Sequence, residues 1–167
     1  MPRTKKQQVE EKKIIKKPKK VEKKLSFYQA VGRRKEATAR VRLYVVESGE
    51  INISGVVLKK GDILVNNRPS EKYFPGEVYK SIYLEPFRTT NTIGRFTTCA
   101  IIDGGGLVGQ LGAFVLGTAR ALEKVDKEKF RTILKKKGFM TRDSRVKERR
   151  KAGLAQKARA KKQSPKR

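Results

Sequence analysis

The chain has 167 residues, of which 43 are Lys or Arg and 16 are Asp or Glu, so its formal net charge at pH 7 is +27. A hydrophobic content of 37% supports one folded domain with a modest core and excludes full disorder. Because such a charge opposes compaction, we expect a phosphate-rich partner. The sequence shows no apolar run of about 18 residues, no lipidation signal and no secretory leader, so we expect a cytoplasmic protein with no membrane partner.

Histidine is absent from the sequence, and cysteine occurs once, as Cys99. Without histidine the chain lacks the usual general base at neutral pH, the Ser-His and Cys-His nucleophile pairs and the commonest zinc ligand. A single cysteine can form neither an intramolecular disulfide nor a cysteine-based metal cluster. We therefore expect a protein that is not an enzyme and that has no cofactor and no metal site.

Charge divides the chain into segments. Residues 1–26 carry 11 cationic and 3 acidic side chains, residues 27–125 carry 14 and 9, and residues 126–167 carry 18 and 4. The excess of positive charge is therefore terminal. We predict a basic N-terminal extension over residues 1–26 that is disordered until bound, a globular α/β RNA-binding domain over residues 27–138, and an extended basic tail over residues 139–167.

The first half of the globular segment has the pattern of β structure. Residues 27–31 and the alternating apolar and polar residues of 39–45 predict two strands joined by a basic turn at 32–36. Two further short strands are predicted at 51–53 and 61–65. This half should therefore be a meander of strands.

Helical signals begin after a turn at Asn66-Asn67. Residues 69–71 can open a short helix, and residues 77–84 predict a second one, bounded by Pro86. The β-branched and apolar residues 96–102 predict a central strand.

A longer helix is predicted to follow over residues 107–123, with its apolar side covering the sheet. Asp126 has the character of an N-cap for a last helix that runs to Lys137 and is closed by Gly138. Beyond Met140 large apolar residues nearly vanish, so the remaining chain cannot form a core of its own.

The glycine-rich sequence 104–109 matches the G-x-G-x-x-G pattern between a strand and a helix. A dinucleotide fold would continue into a parallel strand, whereas another helix and a basic tail follow here. Two interpretations remain open: the glycines of 104–106 present backbone N–H groups to an RNA phosphate, or they let the helix pack tightly on the sheet. Gly112 and Gly117 have P-loop spacing, but Thr118-Ala119 follows in place of Lys-Ser/Thr.

Two groups of cations are candidates for RNA binding. Arg33, Arg34 and Lys35 lie in the predicted turn, and Arg40 and Arg42 share one strand face, so together they could form one positive surface. Tyr44 on that face could stack on a base. The tail over residues 139–167 holds 12 cationic and 2 acidic side chains, and small residues such as Gly153 separate its cations, which favours threading through narrow passages.

Three ordered motifs resemble those of the family of the ninth protein of the small ribosomal subunit, in its bacterial form. They stand at residues 31–41, at 104–106 with 109–110 and 117–122, and at 137–145 leading to 148–151 and the terminal Lys166-Arg167. The resemblance implies a two-layer α/β sandwich. Its sheet would be mostly antiparallel and four-stranded, with helices on one face and a left-handed βαβ crossover. The charge pattern adds basic tails at both ends, of which the N-terminal one, over residues 1–26, is longer than is usual in the family.

The resemblance also implies a structural role in translation, with small-subunit ribosomal RNA, peptidyl-site transfer RNA and neighbouring proteins of the subunit head as partners. Lys166 and Arg167 would be transfer-RNA contacts. Together with the charge pattern, it predicts ribosomal-RNA contacts at Arg33, Arg34, Lys35, Arg40, Arg42, Gly104, Gly105, Gly106, Gln110, Arg142, Arg145, Arg149, Arg150, Lys151, Lys157, Arg159, Lys161 and Lys162.

Two other functions fit parts of the sequence. A DNA-compacting basic protein would use the same charge, but it would bind duplex DNA tightly and would not cofractionate with ribosomes. A nucleotide-dependent enzyme would show saturable cofactor binding at residues 104–109.

Overall fold

A computed structural model describes residues 26–46, 49–53, 55–154 and 157–159, so the predicted N-terminal extension lies outside the described residues except for Ser26. The described chain contains seven strands and four helices. In chain order they are β1 (Phe27–Arg34), β2 (Ala37–Val45), β3 (Glu50–Ile53), β4 (Val56–Lys59), β5 (Ile63–Val65), β6 (Arg68–Pro69), α1 (Ser70–Tyr73), α2 (Glu77–Thr89), β7 (Phe96–Asp103), α3 (Leu107–Val125) and α4 (Lys127–Lys136).

The main sheet is mixed and has the strand order β1-β2-β7-β5-β6. The β1–β2, β2–β7 and β5–β6 pairs are antiparallel, whereas β5 and β7 are parallel and are connected through β6, α1 and α2. The sheet thus has five strands where four were expected, because the two residues of β6 fold back on β5 after the Asn66-Asn67 turn. Both asparagines have positive φ, as the predicted turn requires.

Helix α3 covers one face of the sheet at very short range. A Cβ atom placed on Gly32 of β1 would lie 1.9 Å from the carbonyl oxygen of Ala113, and one on Gly117 of α3 would lie 2.8 Å from a methyl group of Val41. Only glycine fits at both positions, so backbone meets backbone there. The buried residues Val41, Leu43, Phe114 and Leu122 fill the interface on either side, each contributing about 1.5–3 kcal/mol by burial.

The opposite face of the sheet is partly covered by the β3–β4 hairpin. Ile51, Ile53 and Leu58 pack there against Tyr44 and Leu64, forming a small second core. Tyr44 is only 5% exposed, so it cannot stack on an incoming base as predicted. The hairpin leaves this face of β1 and β2 uncovered at the end that carries the β1–β2 turn.

Helix α2 and its neighbours extend the main core. Phe74, Tyr83 and Phe114 form an aromatic cluster with ring centroids 6.3–6.4 Å apart, which joins α2 to α3. The predicted end of α2 before Pro86 is wrong: the helix continues to Thr89 because Pro86 and Phe87 are themselves buried in this core. Tertiary burial there outweighs the cost of proline in a helix.

The last helix agrees with its sequence signals. The Asp126 carboxylate accepts a hydrogen bond from the backbone N–H of Lys129 at 3.1 Å, as an N-cap does, an interaction worth about 1 kcal/mol. Gly138 has a φ of +79° and follows the helix, and the N–H of Phe139 returns to the carbonyl of Leu134 at 3.1 Å. The described residues after Thr141 belong to no helix or strand.

Candidate nucleic-acid interface

The predicted basic turn is shorter than expected, and this changes where its cations lie. Only Lys35 and Glu36 form the turn, while Arg33 and Arg34 are the last residues of β1. Successive strand residues point to opposite faces, so Arg33 lies on the face away from α3 and Arg34 on the α3 side. The three residues therefore do not form one cluster. Lys35 is exposed at the tip with a φ of +51°.

Arg33, Arg40 and Arg42 share the sheet face away from α3, as predicted for the last two. Arg40 pairs in register with Val31 on β1 and with Ile101 on β7, and all three side chains are exposed. We call this set, Val31, Arg33, Arg40, Arg42 and Ile101, the open face. It combines cations with apolar surface in the part of the sheet that the hairpin does not cover.

Arg42 is held in a fixed orientation on the open face. Its Nε donates a hydrogen bond to Oε1 of Gln29 at 2.9 Å, and its guanidinium lies 5.1 Å from the ring centroid of Phe27. Because Nε makes the bond to Gln29, the two Nη atoms of the guanidinium are left to face a partner. Cys99, the register partner of Arg42 on β7, is half-buried, and this burial raises the pKa of its thiol.

The glycine turn before α3 serves packing at two of its three positions. A Cβ on Gly104 would lie 2.5 Å from the carbonyl oxygen of Glu36, and one on Gly105 would lie 3.1 Å from the N of Ala37. The N–H of Gly104 donates to the carboxylate of Asp103 at 2.8 Å. At these two glycines it is the turn itself, rather than α3, that packs closely on Glu36 and Ala37, while Gly106 has open space around it and begins α3 without a side-chain cap.

Gln110 holds this turn through both ends of its amide. Its Nε2 donates to the carbonyl of Gly104 at 3.1 Å, and its Oε1 accepts from the hydroxyl of Tyr73 at 2.9 Å. Asn66 extends the network, since its amide bonds to the Tyr73 hydroxyl and to the backbone of Ile102. Gln110 thus uses one of its two N–H donors and one lone pair of its amide oxygen to hold the turn in place.

The basic tail begins against the end of β1. Asp143 forms an ion pair with Arg34. A small cleft of about 150 Å³ between them and α3 is lined by Arg33, Gly112 and Phe139 among others. Arg145 donates to the same carboxylate through Nη2 at 2.7 Å and through its backbone N–H at 2.9 Å. The root of the tail and the basic end of the sheet are thus adjacent.

The described part of the tail folds back on itself rather than running straight on. The N–H of Lys151 donates to the carbonyl of Lys157 at 3.0 Å, and Arg159 Nε donates to the Glu148 carboxylate at 2.8 Å. That hydrogen bond lowers the pKa of Glu148. The predicted contact residues Arg142, Arg145, Arg149, Arg150 and Lys151 are exposed, whereas Lys161, Lys162, Lys166 and Arg167 lie outside the described residues.

Two further cations lie at the edge of the sheet, although no sequence pattern predicted a role for them there. Arg120 Nη1 donates to the carbonyl of Val31 at 3.0 Å, and Lys124 Nζ donates to the carbonyl of Gln29 at 2.7 Å. The two residues are one turn apart on α3, and both side chains extend from the helix to the unpaired edge of β1. Only the packing of α3 on the sheet reveals this contact.

The acidic groups and one further cleft of the described residues can be compared with what catalysis requires. They contain no cluster of three or more His, Cys, Asp or Glu side chains that could hold a metal ion. A cleft of about 410 Å³ near Leu58 and Tyr83 carries the exposed ion pair of Lys80 and Glu71, 2.6 Å apart. That hydrogen-bonded pair lowers the pKa of Glu71 and raises the pKa of Lys80, which disfavours proton exchange. No helix in the described ranges is long and apolar enough to cross a bilayer.

Fold and surface together define a class: a small basic α/β protein with a cationic sheet face and a cationic tail. The sequence profile described as Ribosomal protein S9/S16 matches residues 32–167. The chain belongs to that family.

Curated relatives agree with the family. Proteins called small ribosomal subunit protein uS9 align over 125 residues, with 48% identity in Cutibacterium acnes, 46% in Leifsonia xyli subsp. xyli and 46% in an Arthrobacter strain. The alignments cover 75% of this chain and 65–67% of the relatives, so the chain spans about two thirds of their length. The family is a structural, non-enzymatic one, and small ribosomal subunits are cytoplasmic in bacteria.

Proposed function

We propose that this chain is a structural constituent of the small ribosomal subunit. It binds small-subunit ribosomal RNA in the head, beside neighbouring head proteins, and places its C-terminal tail near the peptidyl-site transfer RNA. Family membership supports the ribosomal role. The observation that carries the RNA-binding part is the adjacency of the open face, the Lys35 turn and the tail root at one end of the sheet. The same end thus offers two cationic surfaces to one folded polyanion.

The proposed ribosomal-RNA contacts follow from exposure. Arg33, Lys35 and Arg40 are exposed near that end, and Arg42 presents a preoriented guanidinium. Gly106 and the uncapped first turn of α3 supply backbone N–H groups to a phosphate. In the tail the proposed contacts are Arg142, Arg145, Arg149, Arg150, Lys151, Lys157, Arg159, Lys161 and Lys162, with Lys166 and Arg167 directed to transfer RNA.

The family resemblance also supports finer structural proposals. The parallel β5–β7 pair, with α1 and α2 between its strands, is where the left-handed βαβ crossover belongs. Residues 27–138 are proposed as the RNA-binding domain, residues 1–26 as a basic extension and residues 139–167 as the tail that reaches into the subunit. Contacts to phosphate rather than to bases suit a tail that meets every transfer RNA.

Sedimentation of the tagged full chain in sucrose gradients tests the ribosomal role. Stable cofractionation with small subunits at moderate salt is expected, whereas binding to duplex DNA without cofractionation would favour a DNA-compacting protein. Deleting residues 163–167 should leave incorporation intact and weaken retention of peptidyl-site transfer RNA. If retention of transfer RNA were unchanged, Lys166 and Arg167 would not be transfer-RNA contacts.

Substitutions on the open face test the RNA contacts directly. Arg33→Gln with Arg40→Gln should weaken binding to small-subunit ribosomal RNA and reduce the slope of log affinity against log salt by about 0.7–0.9 for each phosphate lost. Lys60→Gln with Lys72→Gln is the matched control, since it removes the same charge from exposed positions elsewhere. An equal loss in both pairs would point to unspecific charge attraction.

A further inference from the structure

Asp143 is one of only two acidic residues among the 29 residues of the predicted tail, and it lies against the globular domain. Its carboxylate pairs with the Arg34 guanidinium and accepts hydrogen bonds from Arg145 Nε at 3.0 Å and Nη2 at 2.7 Å. The Asp143 side chain is 31% exposed and that of Arg34 is 22% exposed. A carboxylate between two arginines in a polycationic segment is placed to bind protein, not phosphate.

The fold brings these two residues together by three local devices. Arg34 points to the α3 side because it follows Arg33 in the strand. Its stem then crosses α3 at Gly112, where an added Cβ would lie 3.0 Å from the Arg34 Cγ. From the other side, Gly138 reverses the chain after α4, and Phe139 and Met140 pack on the core, so Asp143 returns to the end of β1.

The position of Arg34 argues against a role in binding RNA. Its Nη1 atom is buried beside the Asp143 carboxylate, with which it forms the ion pair. A guanidinium that is already neutralised by a carboxylate gains little from a phosphate. Arg33, its neighbour in sequence, is exposed on the opposite face of the sheet.

We propose that Arg34 and Asp143 form a latch that positions the root of the basic tail, so that Arg34 is a positioning residue and not a contact to RNA. The latch fixes the point at which the cationic segment leaves the domain. When the root of the tail is fixed, the effective concentration of the tail at one distant binding site is high. When the root is free, the tail samples many positions and its effective concentration at that site falls. This use of the latch rests on the proposed function, but its existence does not.

Paramagnetic broadening in the full chain without RNA tests the latch. A nitroxide is attached to Lys147→Cys in a Cys99→Ala background, and broadening of the Lys35, Glu36 and Gly112 amide signals is measured. The latched chain should show strong broadening. Asp143→Asn and Arg34→Gln should each reduce it several-fold, and Arg34→Lys should restore much of it because the charge is kept.

The double variant separates a latch from two unrelated effects. Asp143→Asn in the Arg34→Gln background should change nothing further, because the partner charge is already gone. Additive losses, or unchanged broadening in Asp143→Asn, would overturn the proposal. Arg33→Gln is the matched control and should leave the broadening intact, and equal unfolding midpoints show that each variant is folded.

Salt dependence distinguishes the latch from a phosphate contact at Arg34. Arg34→Gln should leave the slope of log RNA affinity against log salt unchanged, whereas Arg33→Gln should lower it by about 0.7–0.9. An equal drop in Arg34→Gln would make Arg34 a phosphate contact and overturn its assignment. If the unsubstituted chain bound no RNA, the proposed function would fail, while the broadening experiment would still decide whether the latch exists.

Discussion

Gly32 sets how closely α3 approaches the sheet, and a single methyl group there should be costly. A Cβ at this position would lie 1.9 Å from the Ala113 carbonyl oxygen and 2.4 Å from the Gly117 N, and neither backbone atom can turn aside. Gly32→Ala should therefore lower the free energy of unfolding by about 3 kcal/mol through overpacking. Urea denaturation followed by circular dichroism measures this change.

Gly109→Ala is the matched control, and it should have the opposite sign. Its Cβ would lie 3.5 Å from the nearest atom, the carbonyl oxygen of Arg34, which is ordinary contact. Removing a helical glycine should then stabilise the chain by about 1 kcal/mol. If both substitutions shifted the midpoint equally, close approach at Gly32 would not be the cause.

Individual residue roles were predictable only where they depend on local sequence. The Asp126 cap and the closure at Gly138 follow from neighbours in the chain, and both are confirmed. The division of Arg33 and Arg34 between two faces was missed because it depends on where β1 ends. Gln110 bonds to Tyr73, which is 37 residues away in the sequence, so no local sequence pattern could predict this hydrogen bond.

Among the elements, β1 is one of the two edge strands of the main sheet, and side chains of α3 cover part of that edge. Arg120 and Lys124 occupy the carbonyls of Val31 and Gln29, which would otherwise be open to another strand. Arg120→Ala with Lys124→Ala should expose the edge and promote concentration-dependent self-association. Sedimentation velocity over a range of protein concentrations measures it.

A control with the same loss of charge makes this result specific. Lys60→Ala with Lys72→Ala removes two exposed cations that lie away from β1, and it should leave the chain as dispersed as before. If both double variants self-associated equally, the cause would be the reduced net charge and not the exposed edge of β1.

The sequence predicted those elements whose burial follows a simple period. β7, α3 and α4 agree with their predicted positions to within a few residues, because a β-branched apolar run marks β7, apolar residues at helical spacing mark α3, and capping marks α4. β4 and β6 were missed because they are four and two residues long and exist through pairing with β3 and β5. The end of α2 was misplaced because burial of Phe87 overrides the local signal of Pro86.

The fold-back of the tail should open in acid. The Arg159 hydrogen bond lowers the pKa of Glu148, so closure is fully favoured above the ordinary glutamate range and is lost as pH falls through the lowered value. An NMR titration of the Glu148 carboxyl carbon should show the low midpoint, together with a change at the Lys151 amide. Arg159→Gln should return the titration midpoint of Glu148 toward the ordinary range. If the midpoint stayed low in that variant, Arg159 would not be the cause of the lowered pKa.

At the scale of the whole molecule, folding and the proposed binding use different parts of the sequence. The main core draws on side chains between Tyr28 and Met140, whereas residues 1–26 and 139–167 together carry 23 of the 43 cations. The sequence predicted this division because charge and apolar content are local quantities. It could not predict the latch or the fold-back, since both depend on single acidic residues meeting distant arginines.

A fragment covering residues 26–141 should therefore fold while losing much of its affinity for RNA. It keeps Phe139 and Met140, which pack on the core, and loses the partly buried Arg34–Asp143 ion pair, worth about 1 kcal/mol. Its free energy of unfolding should thus lie within about 1 kcal/mol of the full chain. Its log–log salt slope with ribosomal RNA should fall by about 0.7–0.9 for each phosphate that the removed segments neutralise. A fragment that kept the full slope would place the binding charge in the globular domain, and one that failed to fold would show that the tail contributes to the core.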